Sequence, residues 1–250
     1  MKKVLAFDLD ETLNVAKTPM FPEIAEVFAD LLNYYPVCVI SGQKFDQFRL
    51  QVVDTLPNVT EKQLENLHLM VTQGGRYYRR EQGEWKLVYN YDLTGEQVTK
   101  ISAALETAAR ELGYWEENPA GEIVENRLSQ VSLSALGQHA TPEDKYKWDP
   151  DMKKRNAIAT RAKELAPEFD YEVGGTTTIN VNVPGMNKTF GMTKLMEQLS
   201  VNKEDILFFG DMVQPGGNDY PVIEMGIDTI AVKKWEDTMF ALRGIIGMAR

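Results

Sequence analysis

The 250-residue chain contains one cysteine and two histidines, and it has no apolar run near the roughly 18 residues a membrane-spanning helix needs. With a single thiol, Cys38, an internal disulfide is excluded. In the run Val37-Cys38-Val39-Ile40 that residue reads as a small buried hydrophobe, which suits a reducing compartment. Basic residues are in short supply: 27 lysines and arginines face 37 aspartates and glutamates, a net charge of −10. A broad basic face for nucleic acid is therefore not expected. The apolar stretch Val4-Leu5-Ala6-Phe7 stops at Asp8, too short for a secretory signal, so a cytoplasmic location with no membrane partner is expected. Low-complexity tracts and internal repeats are also missing. An acidic protein of this kind that acts on an anionic substrate must hold the anion with a metal ion and a few placed cations.

The chain has enough apolar material, 43% of residues, to build a core without a disulfide or structural metal. Strand-like and helix-like segments alternate from the start. Val4 to Leu9 reads as a buried parallel strand. Ile24, Val27, Phe28, Leu31 and Leu32 recur at helical spacing behind Pro22. Val37 to Ile40 is a second strand, Phe45, Phe48 and Val52 mark a helix face, and Leu69 to Thr72 is a third strand. This is the rhythm of a parallel sheet covered by helices. After about residue 80 the strands come in adjacent pairs: Trp85 to Tyr91, Ile123-Val124 with Val131 to Leu133, and Tyr171 to Val173 with Thr177 to Val183. A helix opens at Thr94 with Gln97 in capping-box spacing, and a polar helix covers roughly Pro150 to Leu165. The α/β rhythm returns at Lys188, with a strand at Ile206 to Phe209, another at Ile227 to Val232 and a last helix from Trp235 to Met248. The expected organisation is a discontinuous core, residues 1–82 and 187–250, interrupted by an α+β module over residues 83–186.

Four pieces of this pattern carry chemistry. Asp8 and Asp10 follow the first strand, where ligands of open α/β sheets bind. Two neighbouring carboxylates repel unless a cation or proton lies between them. One can attack phosphorus while the other gives and takes a proton. Ser41-Gly42 ends the second strand and offers a hydroxyl and a backbone N–H to phosphoryl oxygens. Lys188, at the return to the core, supplies a point charge. Gly210-Asp211 ends a strand and leads through Pro215-Gly216-Gly217 to Asn218-Asp219, a set of oxygen ligands suited to a hard cation. Singly, each has an ordinary account as a turn, a cap or a surface residue. Together they fall at the strand ends of one expected sheet. Neither His68 nor His139 is needed by this chemistry, and packing or surface roles are expected for both. The aromatic cluster Tyr77-Tyr78 with Trp85, Tyr89 and Tyr91 reads as packing.

These residues resemble the four motifs of the haloacid dehalogenase superfamily, with the inserted module in the place of the C2 cap of subclass IIB. Within it the chain is most similar to the eukaryotic-type phosphomannomutases, through the whole stretch Gly210 to Asp219, through Asn126-Arg127-Leu128 to Leu136-Gly137, and in the placement of Gly174-Gly175. The resemblance implies a Rossmann-like core with a C2-type cap that opens and closes, and Mg²⁺-dependent phosphoryl transfer from a phosphorylated sugar. It implies Asp8 as nucleophile and metal ligand. Asp10 would be the general acid/base and a ligand through its carbonyl. Ser41, Gly42 and Lys188 would bind the phosphoryl group, with Asp211 and Asp219 in the metal shell and Arg127 on the far end of the substrate. A homodimer formed through the cap belongs to the same expectation.

Two positions depart from the pattern. Gln138 stands where a second cap arginine is expected, and Asn180 where an aspartate grips sugar hydroxyls. Replacing a guanidinium by an amide removes a charge-assisted bond worth roughly 1.5–3 kcal/mol. A mutase needs a strong site for a distal phosphate, so the departure leans the expectation toward a sugar-phosphate phosphatase, with phosphomannomutase as the alternative. A silent sugar-phosphate sensor is disfavoured, because the nucleophile and metal-ligand positions are intact.

Overall fold

The computed structural model describes residues 2–250. It divides into two compact units, one of residues 2–90 with 187–250 and one of residues 91–186. Strands and helices are numbered in chain order.

The first unit is built on β1 (Val4–Phe7), β2 (Val37–Ser41), β3 (Leu67–Val71), β4 (Arg76–Glu81) and β5 (Glu84–Asn90), together with β10 (Ile206–Gly210) and β11 (Asp228–Ala231). These form one sheet in the order β11-β10-β1-β2-β3-β4-β5. The pairs from β11 to β3 are parallel, while β3–β4 and β4–β5 are antiparallel. The central strands read as nearly unbroken apolar runs because both faces are covered. Leu5, Phe7, Val37 and Val39 pack on one side with α1 (Pro22–Leu31), α2 (Phe45–Gln51), α3 (Glu61–Glu65) and α9 (Trp235–Ala249), contributing Phe28, Phe48, Leu64 and Leu242. Val4, Ala6, Cys38 and Ile40 pack on the other with Met192 and Leu195 of α7 (Lys188–Leu199) and Val222 of α8 (Tyr220–Glu224).

One boundary differs from the expectation. The segment from residue 83, read as the start of the inserted module, is β5, and it pairs with β4 at the edge of the first sheet. The inserted unit begins at residue 91. The physical reason is the β4–β5 hairpin itself: it buries Tyr77 against Tyr89 and His68, and stacks Tyr78 on Phe45. Those aromatics belong to the first core.

The second unit is a four-stranded antiparallel sheet, β6 (Val124–Asn126), β7 (Val131–Ser134), β8 (Asp170–Gly174) and β9 (Thr178–Asn182), in the order β6-β7-β9-β8. Val131, Leu133, Ile179 and Val181 form a core with Ile101, Leu105 and Ala108 of α4 (Gly95–Glu111) and Ile158 and Ala162 of α6 (Lys153–Leu165). Thr94 and Gln97 close a full capping box at the start of α4. The helix expected from Pro150 starts three residues later. It is preceded by α5 (Pro142–Trp148), and Met152 between them is left-handed. Asp149 takes over the capping: its carboxylate accepts from the Lys154 and Arg155 amides at 3.0 Å each and from Arg155 Nε at 2.8 Å. Among the described residues no helix is long and apolar enough to cross a membrane.

Candidate active site

Parallel register brings the motifs to one sheet edge. Phe7 pairs with Phe209 on one side and with Val39 on the other. Asp8 and Asp211, which follow β1 and β10, and Ser41, which ends β2, are thereby delivered to the same carboxyl end. The Asp8 amide donates to the Phe209 carbonyl at 2.9 Å, and its side chain is buried. Lys188 opens α7, whose N-cap, Asn187, accepts from the Phe190 amide at 3.3 Å. The Lys188 ammonium is fully buried and bridges two carboxylates, 2.5 Å from Asp8 Oδ1 and 2.5 Å from Asp219 Oδ1. Asp219 is held by a further bond from the Met212 amide at 3.1 Å. Gly210 makes its approach feasible: a Cβ there would lie 2.6 Å from the Asp219 carboxyl carbon and oxygen.

Asp8, Asp211 and Asp219 each place a carboxylate oxygen within 4.8 Å of the others. Burial pushes Asp8 well above the usual carboxylate range; Lys188 pulls it back down, while Asp219 and Asp211 push it up further. Asp211 is pushed up to about 6, by burial first and by Asp219 second. Burial alone would lower the Lys188 ammonium, but Asp219 and Asp8 outweigh it and hold it above its ordinary value. One lysine against three carboxylates leaves net negative charge in a buried place. In addition, Asn218 Oδ1 is buried without a hydrogen-bond partner. An all-oxygen donor set with excess negative charge fits a hard divalent cation.

Asp10 is placed differently. Its carboxylate lies outside this cluster and accepts three N–H groups: Gln43 Nε2 at 2.9 Å and Gln51 Nε2 at 3.4 Å, plus the Lys17 amide at 2.9 Å. Any metal contact by Asp10 would come from its backbone carbonyl. Sequence reasoning missed both glutamines. A buried glutamine on the apolar face of α2, beside Phe48 and Val52, was the available signal.

Ser41 is buried, and its Oγ accepts from the Gln43 amide at 3.4 Å, with Gly42 between them. The other expected contacts lie in the second unit. There Glu125, Ser132, Asn180 and Glu172 are successive cross-strand partners, a polar row across the face opposite the apolar core. Asn180 accepts from Ser132 Oγ at 2.9 Å. Arg127, buried at the β6–β7 turn, donates from Nε to Glu125 at 2.7 Å. Glu125 also went unforeseen, and it compensates the charge on which the expectation relied. Gln138 sits apart from this row, in the loop after Gly137, where its carbonyl accepts from Lys145 Nζ at 3.0 Å.

A sequence profile described as "Eukaryotic phosphomannomutase" matches residues 117–248, more than half of the chain. The chain belongs to that family. The fold is one shared with a haloacid dehalogenase-like protein, as the motifs lead one to expect. A probable phosphomannomutase of Caenorhabditis elegans is 23% identical over 227 residues, 88% of this chain and 86% of that protein. A haloacid dehalogenase-like hydrolase from Bacteroides thetaiotaomicron superposes with a TM-score of 0.62 at 12% identity, over 98% of this chain and all of that one. The Plasmodium falciparum IMP-nucleotidase superposes with a TM-score of 0.71 at 16% identity, over 98% of this chain and 70% of that chain. The chain is thus an enzyme of the phosphomannomutase family with a haloacid dehalogenase-like fold, an α/β core interrupted by an α+β domain, and phosphoryl transfer as its chemistry.

Proposed function

We propose that this phosphomannomutase-family enzyme interconverts hexose 1-phosphates and 6-phosphates, mannose phosphates first among them, through an aspartyl phosphate on Asp8. The observation that carries the reading is the family match over residues 117–248, which runs through most of the inserted domain as well as the returning core. The departures at Gln138 and Asn180 lean toward hydrolysis. The family match and the names of the relatives support the isomerase instead.

The residues of the site have work to do in each half of such a reaction. Lys188 holds Asp8 by Oδ1, leaving Oδ2 to attack phosphorus. As the Asp8 O–P bond forms and the bond from phosphorus to the sugar oxygen breaks, Asp10 gives its proton to that oxygen. In the second half Asp10 takes the proton of the acceptor hydroxyl, which attacks phosphorus and frees the Asp8 carboxylate. Lys188 neutralises charge on the phosphoryl group, and Ser41 with the Gly42 amide orients its oxygens. Asp8, Asp211 and Asp219 would hold Mg²⁺, which when bound supplies positive charge against the phosphoryl oxygens.

Hydrolysis is the second reading, favoured by the inserted domain's own chemistry. Arg127 is already paired with Glu125, and Gln138 is neutral, so that domain offers little net charge to a distal phosphate. One sample separates the two. The protein is incubated with Mg²⁺, mannose 1-phosphate and a hexose 1,6-bisphosphate activator, and followed by ³¹P NMR. Mannose 6-phosphate is expected. Inorganic phosphate without mannose 6-phosphate establishes the phosphatase instead, and neither product from a broad panel of sugar phosphates overturns both.

A further inference from the structure

The two glutamines on Asp10 are unlike the rest of the site. Neither takes part in the Lys188 bonds to Asp8 and Asp219, and they come from different elements, yet their side chains meet on one carboxylate. Gln43 reaches Oδ2 from the loop after β2, and Gln51 reaches Oδ1 from the last residue of α2. The Lys17 amide adds a second bond to Oδ1 from the turn that follows the motif. Each carboxylate oxygen therefore has its own amide, which fixes rotation about the Cβ–Cγ bond as well as the position of the group. A single donor would leave that rotation free.

Burial makes the arrangement costly unless it does something. Gln51 is only 1% exposed, and its Oε1 is buried with no hydrogen-bond partner. An unpaired buried acceptor costs the desolvation of that atom. Leucine or methionine would fill the same place on the apolar face of α2 without the cost. Turned over about its last torsion, however, the same amide offers Oε1 to Asp10, the acceptor a protonated carboxyl needs. An amide can thus hold both forms of an acid/base group, whereas a lysine or a carboxylate would favour one form.

We propose that Gln43 and Gln51 are positioning residues for Asp10, fixing its carboxyl for proton delivery to the leaving oxygen. The inference rests on Asp10 being the general acid/base of the reading above. The leaving group provides the test. A sugar alkoxide needs the proton as the bond to phosphorus breaks, and acetate released from acetyl phosphate does not. Gln51→Met and Gln43→Met keep the bulk and remove the amide. The burst of leaving group in the first turnover is measured with mannose 1-phosphate and with acetyl phosphate, in the same Mg²⁺ buffer, with a thermal melt of each variant. The expected result is a loss of about ten- to a hundredfold with the sugar phosphate and less than about threefold with acetyl phosphate. Gln51→Asn and Gln43→Asn, which keep an amide, should recover part of it. An equal loss with both donors, or none with either, overturns the inference. Because Gln43 lies in a loop, its variants decide the matter if Gln51→Met does not fold. Asp10→Asn separates this from the underlying reading: it must itself discriminate between the two donors. If it does and the glutamine variants do not, the positioning role alone fails; if it does not, the acid/base reading of Asp10 fails first.

Discussion

At the scale of single residues, Lys188 does the most to hold the site. It is the buried cation between Asp8 and Asp219, with Asp211 close by. Removing one member of a buried pair leaves the others uncompensated, at a cost of about 3–5 kcal/mol. Lys188→Met is expected to lose that much in urea unfolding with EDTA present, and to lose phosphoryl transfer. Added Mg²⁺ should stabilise the variant more than the parent, because a divalent cation would then be the remaining positive charge among the carboxylates. A second residue-scale prediction concerns His68. It lies inside β3, 2.7 Å from the Tyr77 hydroxyl, and burial, followed by the positive charge of Arg79, pushes its imidazole down to about 3. In the unfolded chain a histidine titrates near 6.5, so the unfolded state takes up the proton first as pH falls. The stabilisation is complete above about pH 6.5 and is lost progressively from there toward pH 3. At pH 5 the loss from this group is about 2 kcal/mol. Unfolding curves at pH 7.5 and pH 5 should show it in the parent, and His68→Gln should flatten the difference. The sequence placed His68 beside a strand, but its protonation depends on its burial and on Arg79, which the β4 pairing brings alongside.

Strand ends and helix starts position the reacting groups at the scale of elements. β1 and β10 run in parallel register, so Asp8 and Gly210 lie side by side and Asp219 can fold back over the glycine. Gly210→Ala would put a methyl 2.6 Å from the Asp219 carboxyl group and 2.8 Å from the Phe208 ring. The carboxylate must then move away from Lys188. The variant is expected to remain folded while its turnover falls at least tenfold and its Mg²⁺ requirement rises, as a titration of initial rate against Mg²⁺ would record. A kcat loss with unchanged Mg²⁺ dependence would show that Asp219 is no part of the metal shell. The strands bearing Asp8, Ser41 and Asp211 were legible in the sequence because each is a short apolar run closed by a polar residue or by glycine. The β4–β5 hairpin was harder to assign. Its aromatics suit any sheet edge, and only pairing with β3 attaches it to the first core.

For the whole molecule, the chain folds around three apolar clusters, one on each face of the first unit's sheet and one in the second unit. Residues 91–186 have their own sheet, two long helices over its apolar face, a capping box on α4 and the Asp149–Arg155 pair at the start of α6. The Arg155 guanidinium also donates to the carbonyls of Gly174 and Gly175, tying α6 to the β8–β9 turn. Nothing in that list is borrowed from the rest of the chain. Expressed alone, residues 91–186 are expected to melt cooperatively, and Arg155→Met should lower that transition by roughly 12–24 °C, the effect of about 3 kcal/mol on a domain of this size. A non-cooperative melt of the isolated segment would refute its independence.

The sequence by itself determined the α/β plan, the interruption by a second domain and the strand ends at which Asp8, Ser41 and Asp211 stand, because all three are local. An apolar run sets a strand, and the residue that ends it lies at the strand's carboxyl edge. Only the tertiary structure decided what those groups touch. It put Lys188 between Asp8 and Asp219, residues 180 and 31 positions away. It gave the Asp10 carboxylate to Gln43 and Gln51 as its hydrogen-bond donors. It also gave Arg127 a carboxylate partner in Glu125. The physical reason is that a charge acts through its distance to other charges and its burial, and both are set by packing between segments far apart in the chain.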